Sequence, residues 1–143
     1  MFRPLTVLVT GATGKQGGAL ARLLLKRGHR VLAFVRSPDS PAARELAERH
    51  AELITGDFDD PESLERAMQG VDSVFAMATP FQGGGLEGEV RYGRHLIDAA
   101  KIARAEAGTD TPVFVQVTVE TTGTLLVGSD IAAAATVIHA LDV

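Results

Sequence analysis

Residues 7–17 read Val-Leu-Val-Thr-Gly-Ala-Thr-Gly-Lys-Gln-Gly, and this stretch decides the fold. A short apolar run leads into Gly11, Gly14 and Gly17, and an amphipathic helical pattern then continues until Gly28. Glycines permit a sharp turn and the close approach of a phosphate group, while the unpaired N–H groups and the dipole of a new helix favour an anion. The strand before the glycines and the helix after them are the context that a phosphate-binding loop requires. The stretch therefore predicts a nucleotide-binding loop, with a positive φ expected at the Gly14 turn. The alternative is an ordinary turn between a strand and a helix.

The composition limits the class of protein. The chain has 143 residues, 45% of them hydrophobic, which suits one globular α/β domain with a real core. Its net charge is −4 with acidic and basic residues interspersed, so no face for nucleic acid is expected. The sequence has no cysteine, which excludes disulfides and thiolate metal sites and fits a reducing, cytoplasmic location best. The four histidines lie far apart, residues 1–4 are too short for a signal peptide, and no apolar stretch is long enough for a membrane span.

Apolar runs and helical patterns alternate along the whole chain. Expected strands cover residues 5–10, 30–35, 51–55, 71–78 and 112–117, and expected helices cover residues 15–27, 40–50, 60–70 and 87–107. Ser40 and Asp60 each precede a proline, which predicts a helix N-cap followed by proline at the first helical position. Strands that are almost continuously apolar are typical of a parallel sheet covered on both faces. Right-handed crossovers then predict a doubly wound α/β fold, the three-layer Rossmann fold, as a single domain over residues 1–143.

In such a fold the ligand crevice lies at the carboxyl ends of the strands. Arg36 ends the second strand, where an NAD site usually has an acid that accepts from the ribose 2′-hydroxyl. A guanidinium suits a 2′-phosphate instead, so Arg36 predicts NADP(H) rather than NAD(H); the alternative is a solvated surface arginine. Ser37 is a candidate for a second contact to the same phosphate. Lys15 is a candidate phosphate partner or a simply exposed lysine.

Two further strand ends add candidate contacts. An acid at position 57 can accept a hydrogen bond from an adenine amino group, and Phe58 can flank the ring. Asp59 is interpreted as a loop charge and Asp60 as the helix cap. Thr79 follows the fourth strand and is a candidate neighbour of the nicotinamide ribose, the alternative being an ordinary turn.

Several motifs, taken as a set, resemble the NmrA-like group of atypical short-chain dehydrogenase/reductases. They span about the first four-fifths of the chain and comprise residues 10–17, Gly28-His29-Arg30-Val31, Val35-Arg36, Gly56-Asp57-Phe58-Asp59-Asp60, Gly70-Val71-Asp72 and residues 93–101. The resemblance implies a Rossmann fold that binds NADP(H), or less readily NAD(H). By position it implies that the pyrophosphate is held by Gly11, Thr13, Gly14, Gln16 and Gly17, and the 2′-phosphate by Arg36. It also implies that the adenine contacts Asp57 and Phe58, and that the middle of the cofactor contacts Ala78 and Thr79.

The sequence also departs from the pattern of that group. Family members are about twice as long and carry a lysine, often with a tyrosine one turn earlier, on a helix after the fifth strand. Here the only tyrosine is Tyr92, on the helix before that strand, and no lysine occurs after Lys101. Thr118 stands where the family has a serine and is the candidate catalytic residue. Residues 1–117 match a Rossmann core, whereas residues 118–143 resemble a late strand and helix joined to it with the middle of the family fold removed.

Three functions remain open from the sequence. The first is an NAD(P)H-dependent oxidoreductase, or its cofactor-binding part, acting on a quinone or a small carbonyl compound. The second is a non-catalytic sensor of the NADP redox state, and the third is a minimal dinucleotide-binding scaffold. A homodimer is expected, because the missing middle of the fold would leave apolar surface near the segments 125–127 and 131–141.

Overall fold

The computed structural model describes residues 3–76 and 85–108. Four strands and four helices alternate in that part of the chain: β1 (Thr6–Val9), α1 (Lys15–Lys26), β2 (Arg30–Val35), α2 (Pro41–Glu48), β3 (Glu52–Thr55), α3 (Pro61–Met68), β4 (Ser73–Phe75) and α4 (Gly85–Ala107). The fifth strand expected at 112–117, the C-terminal strand and helix, and the candidate residues Ala78, Thr79 and Thr118 lie outside the described residues.

The four strands form one parallel sheet in the order β3-β2-β1-β4. Leu8 in β1 is the register partner of both Leu32 in β2 and Val74 in β4. The chain moves outward from β1 to β3 and then crosses back to place β4 on the other side of β1. The order therefore reverses between β1 and β4, where a doubly wound sheet forms its ligand crevice. The predicted α/β class with a parallel sheet is confirmed.

Helices cover both faces of the sheet, as the continuous apolar strands predict. On one face, Val7 and Val9 pack with Ala21 of α1 and Leu46 of α2. On the other face, Leu8 and its neighbours in β2 pack with α3 and α4, through Leu64, Met68, Leu96 and Ala99. Burial of one such leucine side chain contributes about 1.5–3 kcal/mol, and the second cluster holds α4 against the sheet through Leu96 and Ala99.

Helix boundaries mostly follow the predicted caps. Ala43 N donates to Ser40 Oγ and Ser63 N donates to Asp60 Oδ1, so both predicted N-caps are confirmed. Helix α2 ends at Glu48, two residues before the expected end, because His50 adopts a left-handed φ of 73°. Strand β4 begins at Ser73 rather than at residue 71, since the Asp72 carboxylate turns back to accept from Thr6 N at 2.8 Å.

No helix among the described residues is both long and apolar enough to cross a membrane.

Candidate functional site

The glycine turn between β1 and α1 builds the first part of the site. Gly11 has a left-handed φ of 59°, and its carbonyl oxygen accepts from Gly14 N at 2.9 Å. Gly14 is the N-cap of α1 with an ordinary φ of −85°, so the expected positive φ at Gly14 is wrong and belongs to Gly11 instead. Thr10 fixes the start of the turn, because its N–H donates to the carbonyl oxygen of Phe75 in β4 at 2.9 Å.

Gly17 brings α1 directly against this turn. A Cβ atom at Gly17 would overlap the carbonyl oxygen of Gly11 and approach that of Thr10 to 3.0 Å. Any side chain here would have to push the first turn of α1 away from the end of β1. The glycine is therefore required by helix–strand packing, which places the helix N-terminus at the carboxyl edge of the sheet.

The N-terminus of α1 differs from those of α2 and α3 in having no side-chain cap within the described residues. The first turn of α1 also contains no acidic residue, and its exposed side chains are those of Lys15 and Gln16. The first N–H groups of a helix have no intrahelical partner, and the helix dipole favours negative charge beside them. This end of α1 can therefore accept a phosphate without displacing a capping side chain.

An open groove joins this turn to the ends of β2 and β3. It is lined by one set of residues, namely Gly11, Thr13, Phe34, Val35, Arg36, Asp57, Phe58 and Tyr92. The structure thus brings together five of the residues predicted for the cofactor: Gly11, Thr13, Arg36, Asp57 and Phe58. Ser37 is exposed next to Arg36 but is not part of the lining, and Gly14, Lys15, Gln16 and Gly17 lie at the adjoining N-terminus of α1.

Arg36 offers a positive charge at the end of β2. Its side chain is exposed and makes no ion pair with the part of the chain that the structure describes, whereas Arg30 at the start of β2 is paired with Glu52 at 2.6 Å. No acid stands at the end of β2, so an anionic group near Arg36 would meet no like charge from this strand. The guanidinium is therefore available for a phosphate.

The loop from Gly56 to Asp60 holds the other side of the groove. Asp57 Oδ1 accepts from Asp59 N at 2.9 Å, which leaves Oδ2 without a hydrogen bond to the described residues. Ser63 is buried under the loop, where its Oγ accepts from Asp57 N at 3.1 Å and lies 2.7 Å from the carbonyl oxygen of Asp60. The loop is thus fixed by Ser63 of α3, while Asp57 Oδ2 has no hydrogen-bond partner among the described residues.

Aromatic side chains form the wall beside Asp57. The rings of Phe34 and Phe58 stack with centroids 5.8 Å apart and an interplanar angle of 12°. The ring of Tyr92, from α4, tilts against Phe58 with centroids 5.5 Å apart. Tyr92 was not predicted as a site residue. In the sequence it is a single tyrosine on the buried side of a predicted helix, and nothing in that pattern connects it to the strand ends.

Asp59 is more than the loop charge expected from the sequence. It accepts from Tyr92 Oη at 3.0 Å and from Arg91 Nε at 3.1 Å, so it ties the loop to α4. Contact with Tyr92 and the charge of Asp59 both raise the pKa of Arg91 above its ordinary value. An arginine side chain stays charged in proteins in any case, so the effect of these contacts is to fix the position of the Arg91 guanidinium.

Within the described ranges 3–76 and 85–108, no group of three or more histidine and acidic side chains is placed to hold a metal ion.

Comparison with known proteins gives the chain its family. The model of the NmrA-like family matches residues 4–135. The NmrA-like family domain-containing oxidoreductase notA of an Aspergillus species (strain MF297-2) is 41% identical over 109 residues, which cover 73% of this chain and 31% of that protein.

Two solved structures of NmrA, a negative transcriptional regulator, are also similar. The complex with NAD is 30% identical with a TM-score of 0.64, and the complex with NADP is 31% identical with a TM-score of 0.63; each match covers 71% of this chain and 31% of NmrA. This chain therefore spans about a third of the length of these relatives. The family match covers most of its residues, and the chain belongs to the NmrA-like family.

Proposed function

We propose that this chain binds NADP(H), in preference to NAD(H), in the groove at the carboxyl edge of its sheet. The observation that carries the proposal is that the N-terminus of α1 and the Arg36 guanidinium lie at the same edge, the one without a side-chain cap and the other without an ion-pair partner among residues 3–76 and 85–108. One suits a pyrophosphate and the other a 2′-phosphate, and a dinucleotide phosphate contains both.

We assign each part of the cofactor to a different segment of the groove. The turn at Gly11, Thr13 and Gly14, with Gln16 and Gly17 in the first helical turn, would hold the pyrophosphate. Arg36, with Ser37, would hold the 2′-phosphate, and Asp57 and Phe58 the adenine. Ala78 and Thr79 are proposed for the middle of the cofactor on the strength of their sequence positions.

We further propose that the chain is the cofactor-binding part of an oxidoreductase with a quinone or small carbonyl acceptor. The Aspergillus relative carries the word oxidoreductase in its name, which supports this class. A bound nicotinamide supplies a hydride, and the protein must orient it and hold the substrate beside it. Thr118 is proposed as the candidate catalytic residue on the strength of its sequence position.

A second candidate function is a non-catalytic NADP sensor or regulatory module. Tyr92 Oη donates a hydrogen bond to Asp59, near the end of the groove proposed for the adenine. This hydroxyl is therefore engaged away from the expected nicotinamide position. The similar NmrA structures are described as those of a negative transcriptional regulator, which also fits this candidate.

Calorimetric titration of NADP and NAD tests the cofactor proposal. Arg36→Ala should weaken NADP binding by about 1–3 kcal/mol, the scale of a lost charge-assisted hydrogen bond. NAD binding should hardly change, because NAD has no 2′-phosphate. Arg44→Ala, which removes another exposed arginine from a surface ion pair, is the control. Equal losses for NADP and NAD would show that Arg36 does not recognise the 2′-phosphate.

Oxidation of NADPH with a panel of quinones separates the two candidate functions. We expect little or no turnover by this chain alone, with weak quinone reduction as the activity that survives, since a quinone acceptor demands least from a protein proton donor. Robust turnover that is lost in Thr118→Ala and retained in Tyr92→Phe would instead make Thr118 catalytic and exclude the sensor.

A further inference from the structure

Helix α4 supplies a wall of the groove that the strand ends alone do not provide. Among the described residues that line the groove, Tyr92 is the one that comes from α4. Tyr92 is 5% exposed, so nearly all of the residue is packed although it lines the groove. The ring leans on Phe58 at a centroid distance of 5.5 Å and an interplanar angle of 47°.

Tyr92 is held in this position from two sides. Asp59 accepts from its hydroxyl at 3.0 Å, and the guanidinium of Arg91 lies over its ring, 5.1 Å from the centroid. Arg91 and Asp59 also form an ion pair at 3.0 Å, and both side chains are about half exposed. An exposed pair of this kind adds little stability. Its effect is geometric, because it fixes the hydroxyl and the ring of Tyr92 together.

Helix α4 also contacts the backbone of the loop from Gly56 to Asp60. His95 Nδ1 lies 2.6 Å from the carbonyl oxygen of Phe58, one turn of helix beyond Arg91. The Phe58 ring therefore contacts both Phe34 and Tyr92, while its backbone is fixed by His95. Phe58 can keep one orientation before any ligand arrives.

A pre-oriented aromatic wall beside a carboxylate suits a flat base with an exocyclic amino group. The ring supplies the apolar contact, and Asp57 Oδ2 supplies an acceptor. An aromatic wall that is already ordered binds a base without the entropy cost of ordering it. Resting on the proposed function, we propose that Tyr92 determines recognition of the adenine end of the cofactor, and that Asp59 is the positioning residue that holds it.

The sequence provides an unusually clean probe for this proposal. The chain has one tyrosine and no tryptophan. Ring-labelled ¹³C-tyrosine therefore gives NMR signals from Tyr92 alone. Adenosine 2′,5′-bisphosphate should shift these signals in a saturable titration, because the purine ring current lies beside the ring. Nicotinamide mononucleotide, which has no adenine, should leave them in place at the same concentration.

Variants measure the contribution of each group. Tyr92→Leu should weaken binding of adenosine 2′,5′-bisphosphate about tenfold, equivalent to about 1.4 kcal/mol. Tyr92→Phe keeps the ring but loses its hydrogen bond to Asp59, so its affinity should lie between those of the native chain and Tyr92→Leu. Asp59→Ala should weaken the same ligand, and Asp59→Asn, which keeps an acceptor for the Tyr92 hydroxyl, should recover most of the affinity, whereas a role of Asp59 that depended only on its charge would not be rescued. Ile102→Ala, on an exposed part of α4, is the matched control and should bind normally.

Three results would separate failure of this inference from failure of the proposed function. Tyr92 signals that stay fixed while calorimetry shows adenosine 2′,5′-bisphosphate binding would overturn this inference and leave the proposed cofactor intact. Native affinity in a folded Tyr92→Leu variant would do the same. Absence of binding by both NADP and the bisphosphate would overturn the proposed function, and this inference with it.

Discussion

Gly17 and Gly93 are both helical glycines, but their surroundings differ. A Cβ at Gly17 would overlap the Gly11 carbonyl group, whereas a Cβ at Gly93 would meet nothing within 4 Å. Gly17→Ala should therefore lower the free energy of unfolding by about 1–3 kcal/mol, as overpacking does. Gly93→Ala should raise it by about 0.5–1 kcal/mol, because alanine favours the helix. Urea denaturation of both variants measures the difference, and a neutral Gly17→Ala would contradict the close packing of α1 on the glycine turn.

The position of groove residues that lie near a strand end could be predicted from the sequence. Arg36 directly follows β2 and Asp57 stands one glycine beyond β3, and parallel strands bring their carboxyl ends to one edge. Tyr92 could not be predicted in this way, because it reaches the groove through the packing of α4 over the sheet. Asp59 was interpreted as a loop charge for the same reason, since its partners Arg91 and Tyr92 lie 32 and 33 residues away in the chain.

The loop between β3 and α3 depends on one buried hydroxyl. Ser63 Oγ accepts a hydrogen bond from Asp57 N and lies within donating distance of the carbonyl oxygens of Asp57 and Asp60. Ser63→Ala should leave the Asp57 N–H without its partner and cost about 1–3 kcal/mol of folding free energy. The same variant should weaken binding of adenosine 2′,5′-bisphosphate, because Asp57 and Phe58 lie in this loop.

The control for Ser63→Ala is Ser73→Ala, at an exposed position at the start of β4. This change should alter stability by no more than about 0.5 kcal/mol. It should leave nucleotide affinity unchanged. If Ser63→Ala lost stability but kept full affinity for the bisphosphate, the loop would not belong to the binding site.

Most elements in the described ranges could be predicted because each carries a local signal. Proline after a capping residue marked the starts of α2 and α3, and Ser40 and Asp60 do act as caps. The ends were less predictable, since they depend on backbone conformation and on distant partners. His50 ends α2 by adopting a left-handed φ, and β4 begins later than expected because Asp72 bonds to Thr6 in a neighbouring strand.

At the scale of the whole molecule, we expect the chain to associate with itself. The expectation comes from the sequence of residues 118–143, which predicts a short strand and an alanine-rich helix in place of the longer family segment. Apolar surface left without its usual cover is commonly buried in a two-fold interface. Light scattering at increasing protein concentration should show a dimer. A monomer at high concentration that binds no hydrophobic dye would contradict this expectation.

Ligand binding should also stabilise the whole fold, since both sides of the groove come from elements that pack on one sheet. A ligand at about one hundred times its Kd adds about 2.7 kcal/mol to the free energy of unfolding, which for a domain of this size raises Tm by about 10 °C. We therefore expect a large Tm increase with NADP and a smaller one with NAD at equal concentration. Differential scanning calorimetry of the native chain and of Arg36→Ala measures both increases. In the variant the two cofactors should give equal increases, because the guanidinium that distinguishes them is gone. A difference between NADP and NAD that persisted in Arg36→Ala would assign the 2′-phosphate to another cation, and Lys15, exposed in the first turn of α1, would be the next residue to replace.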